Sequence, residues 1–435
     1  MTNTPGTGRP QPVEPKADKA SVRRHNLSLV LRTVHASGET TRAAVAARVG
    51  LTRAAVSSLV EQLMESGFLV ESGKTFSGQA GRPGTVLKPA GTGPAGLGAE
   101  INVDYVSVCV VDLTGADRVR LTEPLDNRAA GPARVLERAA SLAARALEEA
   151  ARDALHPAGV RLALPGLVSG GTVRQAPNLG WNQVAADRLF AAALTALRPG
   201  PELPVASDNE ANAAALAELW FGTAGETRTF LHLTGEIGVG GAIVVDGELL
   251  RGAHGFAGEI GHMVVATEGR RCRCGSYGCL EQYAGQAALL RAAGLAPAVG
   301  EPAEPGNEPY GQWASGARPA GAAPAGVAEL ARRVQAGEPR AVAAVEEAGR
   351  MLGLALSGAV NLLDPETVVL GGIYPRLMSR LAPAVEAELE RRVVSGLWSR
   401  GTGRLRAASE SADAARGAAA VVLRQVLADP LSYAP

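Results

Sequence analysis

Between Glu259 and Glu281 the chain reads Glu259-Ile260-Gly261-His262, a short spacer, then Cys272-Arg273-Cys274-Gly275-Ser276-Tyr277-Gly278-Cys279-Leu280-Glu281. Three of the four cysteines fall within eight positions, with one histidine a loop upstream. One imidazole and three thiolates form a complete tetrahedral set for zinc, so His262, Cys272, Cys274 and Cys279 are expected to hold a structural Zn2+. No position is left open for a substrate, which argues against a catalytic ion. Gly275 and Gly278 stand where a tight knuckle needs a backbone free of side chains.

At 435 residues the chain exceeds one ordinary core and is expected to form two or three domains. Apolar residues make up 46% and charged residues 20%, enough for a buried interior. The formal net charge is zero, so any contact with nucleic acid must come from a local basic patch. The sequence has no apolar run of membrane-spanning length and no export signal at its start. The expectation is therefore a cytoplasmic protein with no membrane contact, which suits thiolate ligands that must stay reduced.

Residues 1–18 are rich in Pro, Gly and Thr and are expected to form a disordered leader. From there the apolar spacing turns helical. Leu27, Val30, Leu31 and Val34 mark one helix, Ala44, Val45 and Val49 a second, opened by Thr40 or Thr41, and Val56, Leu59, Val60 and Leu63 a third, opened by Thr52. Three short helices joined this tightly predict a helix-turn-helix. Strands over 68–71 and 85–88 around the Gly81-Arg82-Pro83-Gly84 turn would add a wing, giving a winged helix-turn-helix DNA-binding domain over 19–90. Arg53, Ser57 and Ser58 lie opposite the apolar stripe of the third helix, where base edges are reached. Arg82 is placed to enter a minor groove, and Lys74, with Arg23 and Arg24, to meet phosphates. The Pro- and Gly-rich segment 89–98 reads as a linker.

Beyond it, strands and helices alternate: a strand over 103–111, a helix over 132–155, strands at 160–164 and 205, a helix over 212–220, and strands over 230–234 and 242–245. Such alternation implies an α/β body. Residues 296–325 form a Pro-, Gly- and Ala-rich insertion expected to be a solvated loop.

An Asn-containing turn, the Gly-rich hairpin, Glu-x-Gly-His and Cys-x-Cys-Gly-x-x-Gly-Cys-x-Glu, together in one chain, resemble the ROK family of sugar kinases and sugar-responsive repressors over residues 20–430. The resemblance implies a two-lobed, actin-like (ribonuclease H-like) sugar-kinase fold: one lobe over 91–222, joined again by a C-terminal helix over 408–428, and a second over 223–407. It also implies a sugar cleft lined by Asn178, Asn209, Glu210, Glu259, His262 and Glu281. A sugar ring offers hydroxyls that each donate and accept, so carboxylates and carboxamides on rigid elements are the fitting partners. Taken singly, each of these residues would pass for an ordinary surface group or cap.

Family kinases carry Asp-x-Gly-Gly-Thr at the first phosphate turn, where this chain has Glu100-Ile101-Asn102-Val103-Asp104. The second turn reads Leu233-Thr234-Gly235-Glu236-Ile237-Gly238, and the family's catalytic Asp is replaced by Glu210. Lost glycines and added carboxylates are hostile to phosphate oxygens. The expectation is a sugar-responsive transcriptional repressor without kinase activity. It would bind operator DNA as a homodimer or homotetramer and be released by a sugar or sugar phosphate. The competing reading is an ATP-dependent hexose kinase with an added N-terminal domain.

Overall fold

Asp18 opens the first helix: its side chain accepts a hydrogen bond from the Ser21 amide at 2.7 Å, and the rest of the expected leader, 1–17, lies outside the described residues. The computed structural model describes residues 18–75, 84–222, 227–295 and 325–433. It divides into two units, one formed by residues up to 90 together with 426–435, the other by Gly91–Gln425.

The smaller unit contains α1 (Lys19–Ser37), β1 (Thr40–Thr41), α2 (Arg42–Val49), α3 (Arg53–Glu65), β2 (Leu69–Thr75) and β3 (Gly84–Pro89). Thr41 caps α2 and Thr52 caps α3, each accepting from the amide three residues on. Gly50 ends α2 in the left-handed region, φ 71°, where glycine carries no penalty. The chain then turns by 115° between α2 and α3, the geometry of a helix-turn-helix. Val56, Leu59, Val60 and Leu63 of α3 are buried together with Leu27, Val30, Leu31 and Val34 of α1. The three strands pair in the order β1-β3-β2, and both ladders are antiparallel. The wing strands are longer than the sequence suggests because the β2–β3 ladder resumes after a bulge between Glu71 and Lys74. The chain's end also belongs here. Asp429 pairs with Arg24, and the Leu427 carbonyl accepts from Ser28 Oγ at 2.9 Å, which ties 426–435 to this unit; of these, only 426–428 belong to the helix that the resemblance implies rejoins the first lobe.

The larger unit repeats one sheet pattern twice. Its first sheet joins β4 (Gly93–Ile101), β5 (Tyr105–Asp112), β6 (Asp117–Pro124), β7 (Leu155–Leu164) and β11 (Val205–Asn209) in the order β11-β7-β4-β5-β6. Strands β4, β5 and β6 form an antiparallel meander, while β4, β7 and β11 run parallel. Between β7 and β11 lie a small sheet, β8 (Leu167–Ser169), β9 (Thr172–Ala176) and β10 (Trp181–Val184), and helix α5 (Ala186–Leu197); α4 (Pro132–Arg152) joins β6 to β7, and α6 (Glu210–Phe221) follows β11. The second sheet has the order β14-β13-β12-β15-β16, from β12 (Phe230–Gly235), β13 (Val239–Val245), β14 (Glu248–Leu249), β15 (Thr367–Gly372) and β16 (Leu405–Ala407). Here again three strands meander and β12, β15 and β16 are parallel. Helices α7 (Glu281–Ala284), α8 (Gln286–Ala292), α9 (Ala325–Gln335) and α10 (Pro339–Leu363) precede β15, and α11 (Met378–Arg392) follows it. Parallel neighbours need such crossovers. This doubled sheet is the two-lobed actin-like fold.

The segment 89–98, expected to be a linker, is mostly strand β4, whose glycines serve packing. Helix α12 (Ala414–Ala428) crosses it, and a Cβ at Gly96 or Gly98 would strike the Ala419 or Ala415 carbonyl. That helix begins at 414 rather than 408, where Asp413 accepts from the Arg416 amide at 2.9 Å. The strand expected over 103–111 starts only at Tyr105, because Asn102–Asp104 form the β4–β5 turn, closed by the Asn102 amide donating to the Tyr105 carbonyl at 3.0 Å. Apart from Ala325, which begins α9, the expected insertion lies outside the described residues. Among those residues no single helix is long and apolar enough to cross a membrane.

Candidate metal knuckle and ligand cleft

The knuckle is shaped by backbone before any ion enters. The Cys272 amide donates to the Ser276 carbonyl at 2.8 Å, the Gly278 amide to Arg270 at 2.8 Å, and short bridges pair Val264 with Cys279 and Arg271 with Tyr277. Gly278 has φ 69°, and a Cβ there would strike the Ala266 carbonyl. His262 ends a single 3-10 turn, Ile260–His262, pressed against β13 so closely that a Cβ on Gly261 would meet the Val239 carbonyl. The donor atoms of His262, Cys272, Cys274 and Cys279 all lie within 4.8 Å of one another. Cys274 and Cys279 sulfurs are 3.7 Å apart, and Cys272 Sγ is 3.8 Å from His262 Nδ1. Tetrahedral bonds of about 2.3 Å to sulfur place ligand atoms roughly 3.8 Å apart, so the set could hold a metal ion of zinc's size.

Nδ1 of His262 faces the thiols, which leaves Nε2 for the other side of the ring, 3.9 Å from Glu259 Oε2. Glu281 follows the last cysteine by two residues and opens α7; its Oε1 lies 3.9 Å from Cys272 Sγ. Gly238 leaves room for it, since a Cβ there would collide with Glu281 Oε2 and come within 3.2 Å of Asn178 Nδ2. Thus Asn178, Glu281 and the second glycine-rich turn converge, and the knuckle's Arg273 reaches Asn178 Oδ1 at 3.4 Å.

Asn209 and Glu210 stand at the carboxyl end of β11, where open α/β sheets present ligand groups. Asn209 is also the N-cap of α6. Its Oδ1 accepts from Ala211 and Asn212 amides at 2.8 and 3.3 Å, and its Nδ2 donates to the Gly166 carbonyl at 2.9 Å. Only one amide hydrogen is left for a ligand. The Glu210 carboxyl is held well above the usual range, first by burial and then by the charges of Glu100, Glu236, Glu259 and Glu281. Glu259 is raised by burial and by Glu281, against His262. Residues from both lobes therefore share one electrostatic environment.

At the first phosphate turn, burial pushes Glu100 up to about 7, and nearby Asp413 adds to this; hydrogen bonds from Tyr105 and Asn102 and the charge of Arg120 oppose it. The Tyr105 hydroxyl donates to Glu100 Oε1 and accepts from Asn102 Nδ2 at 3.2 Å. Sequence reasoning misses Tyr105, which reads as an ordinary strand aromatic.

It also misses Asp208 and Arg251. Asp208 accepts from Arg251 at 3.1 and 2.7 Å and from Asn212 Nδ2 at 3.0 Å. Burial raises the Asp208 carboxyl, but Arg251 outweighs burial and holds it below the ordinary range. A cavity of about 680 Å³ opens beside this pair, lined by Arg161, Val168, Ser169, Arg174 and Phe256 among others, and by none of the expected sugar residues.

In the smaller unit Arg53 and Ser58 are exposed and Ser57 partly so, on the face of α3 away from its buried stripe. Lys74 pairs with Thr85 in the wing ladder, and Arg82 lies outside the described residues. Arg23 and Arg24 have partners within the unit: Arg23 donates to Gln62 Oε1 at 3.1 and 2.7 Å, and Arg24 to Asp429 and Ser432. That limits the phosphate role expected of them.

The chain is 31% identical over 360 residues to a putative xylose repressor of Caldicellulosiruptor sp. (strain Rt8B.4), which covers 81% of this chain and 84% of that one. It is 34% identical over 229 residues to a glucokinase of Streptomyces coelicolor, 52% of this chain and 67% of the enzyme. Among solved structures, a ROK family transcriptional regulator described as a homolog of the E. coli MLC protein matches with a TM-score of 0.71 and 24% identity, over 94% of this chain and 98% of that one. Residues 97–425 match the ROK family model, and the chain belongs to that family.

Proposed function

We propose that the protein is a sugar-responsive transcriptional repressor whose winged helix binds operator DNA and whose interlobe cleft binds the effector. One observation supports this reading: a helix-turn-helix unit and a cluster that brings Asn178 and Glu281 together at Gly238, with Glu259 and Glu281 acting on Glu210, stand in one chain. Similarity to the xylose repressor spans 81% of the chain, whereas similarity to the glucokinase spans 52%. Arg53, Ser57 and Ser58 would meet base edges and Lys74 and Arg82 the backbone and minor groove. Two copies on a two-fold axis would read half-sites one or more helical turns apart, about 34 Å each.

In the cleft, Glu210, Glu259 and Glu281 accept from ring hydroxyls, Asn178 and Asn209 offer amide hydrogens, and His262 Nε2 completes the set. Zinc at His262, Cys272, Cys274 and Cys279 would fix Glu259, His262 and Glu281 in one mutual geometry by tying their backbone segments together. Kinase chemistry is disfavoured by the carboxylates and phenol at the first phosphate turn, where glycines would have to cradle phosphate oxygens.

The test is operator binding by the purified protein across a panel of monosaccharides, with an ADP-coupled assay alongside. Release of DNA by one sugar, with no ADP formed, is expected. Turnover near 1 per second, within the ordinary enzyme range, would restore the kinase reading.

A further inference from the structure

We infer that the cavity beside the Asp208–Arg251 pair is a binding site for a small phosphorylated metabolite, separate from the sugar set. The inference goes beyond the repressor reading and does not depend on it.

Arg161 carries the argument. It stands on β7 opposite Ala206 of β11, only 18% of its side chain is exposed, and its ion pair with Asp208 Oδ2, at 3.6 Å, is too long for a hydrogen bond. Its Nε is buried with no partner among the described residues. A guanidinium this far withdrawn from water gives its donors to an acceptor, because buried donors left unpaired cost stability. Asp208 is already taken. Its Oδ1 accepts from Arg251, from Asn212 and from the Asn209 amide, and its Oδ2 accepts from Arg251 at 2.7 Å.

The cavity wall holds more positive charge than it neutralises. Arg174, from β9, is exposed and donates at 3.2 Å to Gln183, a neutral amide. Three guanidiniums from three segments, β7, β9 and the loop after β14, thus line one space in which Asp208 is the single carboxylate. His254 in the same loop can add positive charge and no negative. Asp187 also acts on Arg161, but burial pushes its carboxyl above the ordinary range, and it does not line the cavity. Even fully charged, Asp187 would leave one positive charge in excess.

Charge and shape narrow the ligand. A planar carboxylate is satisfied by one guanidinium fork, whereas donors arriving from three segments suit a tetrahedral oxyanion. A phosphate monoester brings such an oxyanion with nearly two negative charges at neutral pH. At about 680 Å³ the cavity has the size of a small-molecule site and exceeds what phosphate alone would fill; Val168 and Phe256 offer apolar wall to a carbon skeleton.

Thermal melting of the full chain tests this, with inorganic phosphate, D-glucose 6-phosphate and sn-glycerol 3-phosphate as probes, each against sodium chloride of equal ionic strength. Inorganic phosphate should raise the melting temperature saturably, at least one ester should do so at about tenfold lower concentration, and acetate and glycerol should do neither. Arg161→Gln should lose the response. Arg174→Gln, at an exposed position, should melt like the parent without ligand and bind the ester about tenfold more weakly, which keeps the test open if the Arg161 variant does not fold. Glu281→Gln, in the sugar set, should leave the phosphate response unchanged. Loss of the response through Glu281→Gln but not through Arg174→Gln would put the anion in the sugar cleft and overturn the inference. No saturable response to any of the three probes beyond that of chloride, or no ester bound more tightly than inorganic phosphate, overturns it equally. Each of these outcomes leaves the sugar-responsive reading to its own operator and sugar titrations.

Discussion

Asp208 and Arg251 form a two-toothed ion pair, 3.1 and 2.7 Å, that ties the end of β11 to the start of the loop carrying Glu259. Asp208 precedes Asn209 in the strand, and only 7% of its side chain is exposed. The pair therefore ties the strand end that carries Asn209 to the loop that carries Glu259, although neither Asp208 nor Arg251 belongs to the expected sugar set. Arg251→Ala leaves a buried carboxylate without its main partner. Arg161, 3.6 Å away, compensates only in part. Since Arg251 is itself 46% exposed, the expected loss of stability is about 1–2 kcal/mol, below that of a fully buried pair. Sugar affinity should fall about tenfold while operator affinity without sugar is kept. Chemical denaturation and sugar titration of the variant check both.

Removal of metal should act on the cleft as well as the knuckle. Cys274→Ser removes one of the four candidate donors and should lower bound metal and sugar affinity together, because Glu281 stands two residues after Cys279 and His262 turns Nδ1 to the thiols and Nε2 to Glu259. Metal analysis of protein purified without chelator is the direct measurement. Full sugar affinity in a zinc-free protein would refute the clamp.

Stability of the larger unit should decline as pH rises. Glu100 is held at about 7 in the folded chain, by burial first and by Asp413 next, well above an exposed glutamate. Between those two values the folded state binds a proton that the unfolded state has lost, so folding stability is full near pH 4 to 5 and decreases until the folded carboxyl ionises. Glu210 is raised too, by burial first and then by the charges of Glu100, Glu236, Glu259 and Glu281, and extends the trend upward. A loss of roughly 1–3 kcal/mol between pH 5 and 8 is expected from Glu100. Glu100→Gln should flatten that part of the slope, as followed by denaturant midpoints at each pH.

The sequence reveals most where chemistry is local. Cysteine spacing, threonine caps and the glycine-rich hairpin each report within a few residues, so the knuckle, the three helices and the β12–β13 hairpin are all legible. Long-range pairing is not. Gly93–Ile101 looks like a linker because its glycines are there for Ala415 and Ala419, more than three hundred residues on, and no local pattern records that. The same limit hides the Asp208–Arg251 pair and the attachment of 426–435 beside α1. Tyr105 escapes for another reason: its neighbours Val106 and Val108 suit a buried strand, and its bonds to Glu100 and Asn102 form only once the β4–β5 turn closes.

In the smaller unit, basic residues should separate by partner. Arg53 is exposed at the first position of α3, so Arg53→Ala should cost about 1–3 kcal/mol on the operator and relax preference at one base position. Arg24 is paired with Asp429, so Arg24→Ala should lower the melting temperature and leave the salt dependence of DNA binding nearly unchanged. Salt titrations of both variants on operator DNA distinguish the roles, and a large change of slope for Arg24→Ala would contradict the assignment.

Two cleft substitutions should behave differently even though both weaken the sugar. Glu259→Gln keeps the shape of a half-exposed carboxyl that makes no cap bond, so its effect should be confined to ligand. The expected cost is about 1–3 kcal/mol, or roughly 5- to 150-fold in sugar affinity, with an unchanged melting temperature. Asn209→Ala removes the N-cap of α6 and the bond to Gly166 as well as the second amide hydrogen expected to meet the sugar. A lost cap costs about 0.5–2 kcal/mol, so this variant should melt earlier as well as ignore the sugar. Asn209→Asp separates the effects, because aspartate still accepts from the Ala211 and Asn212 amides but cannot donate to Gly166 or to a ligand. It should regain part of the lost stability and none of the sugar response. Normal release of operator by Asn209→Asp at wild-type sugar concentrations would show that Asn209 serves α6 alone.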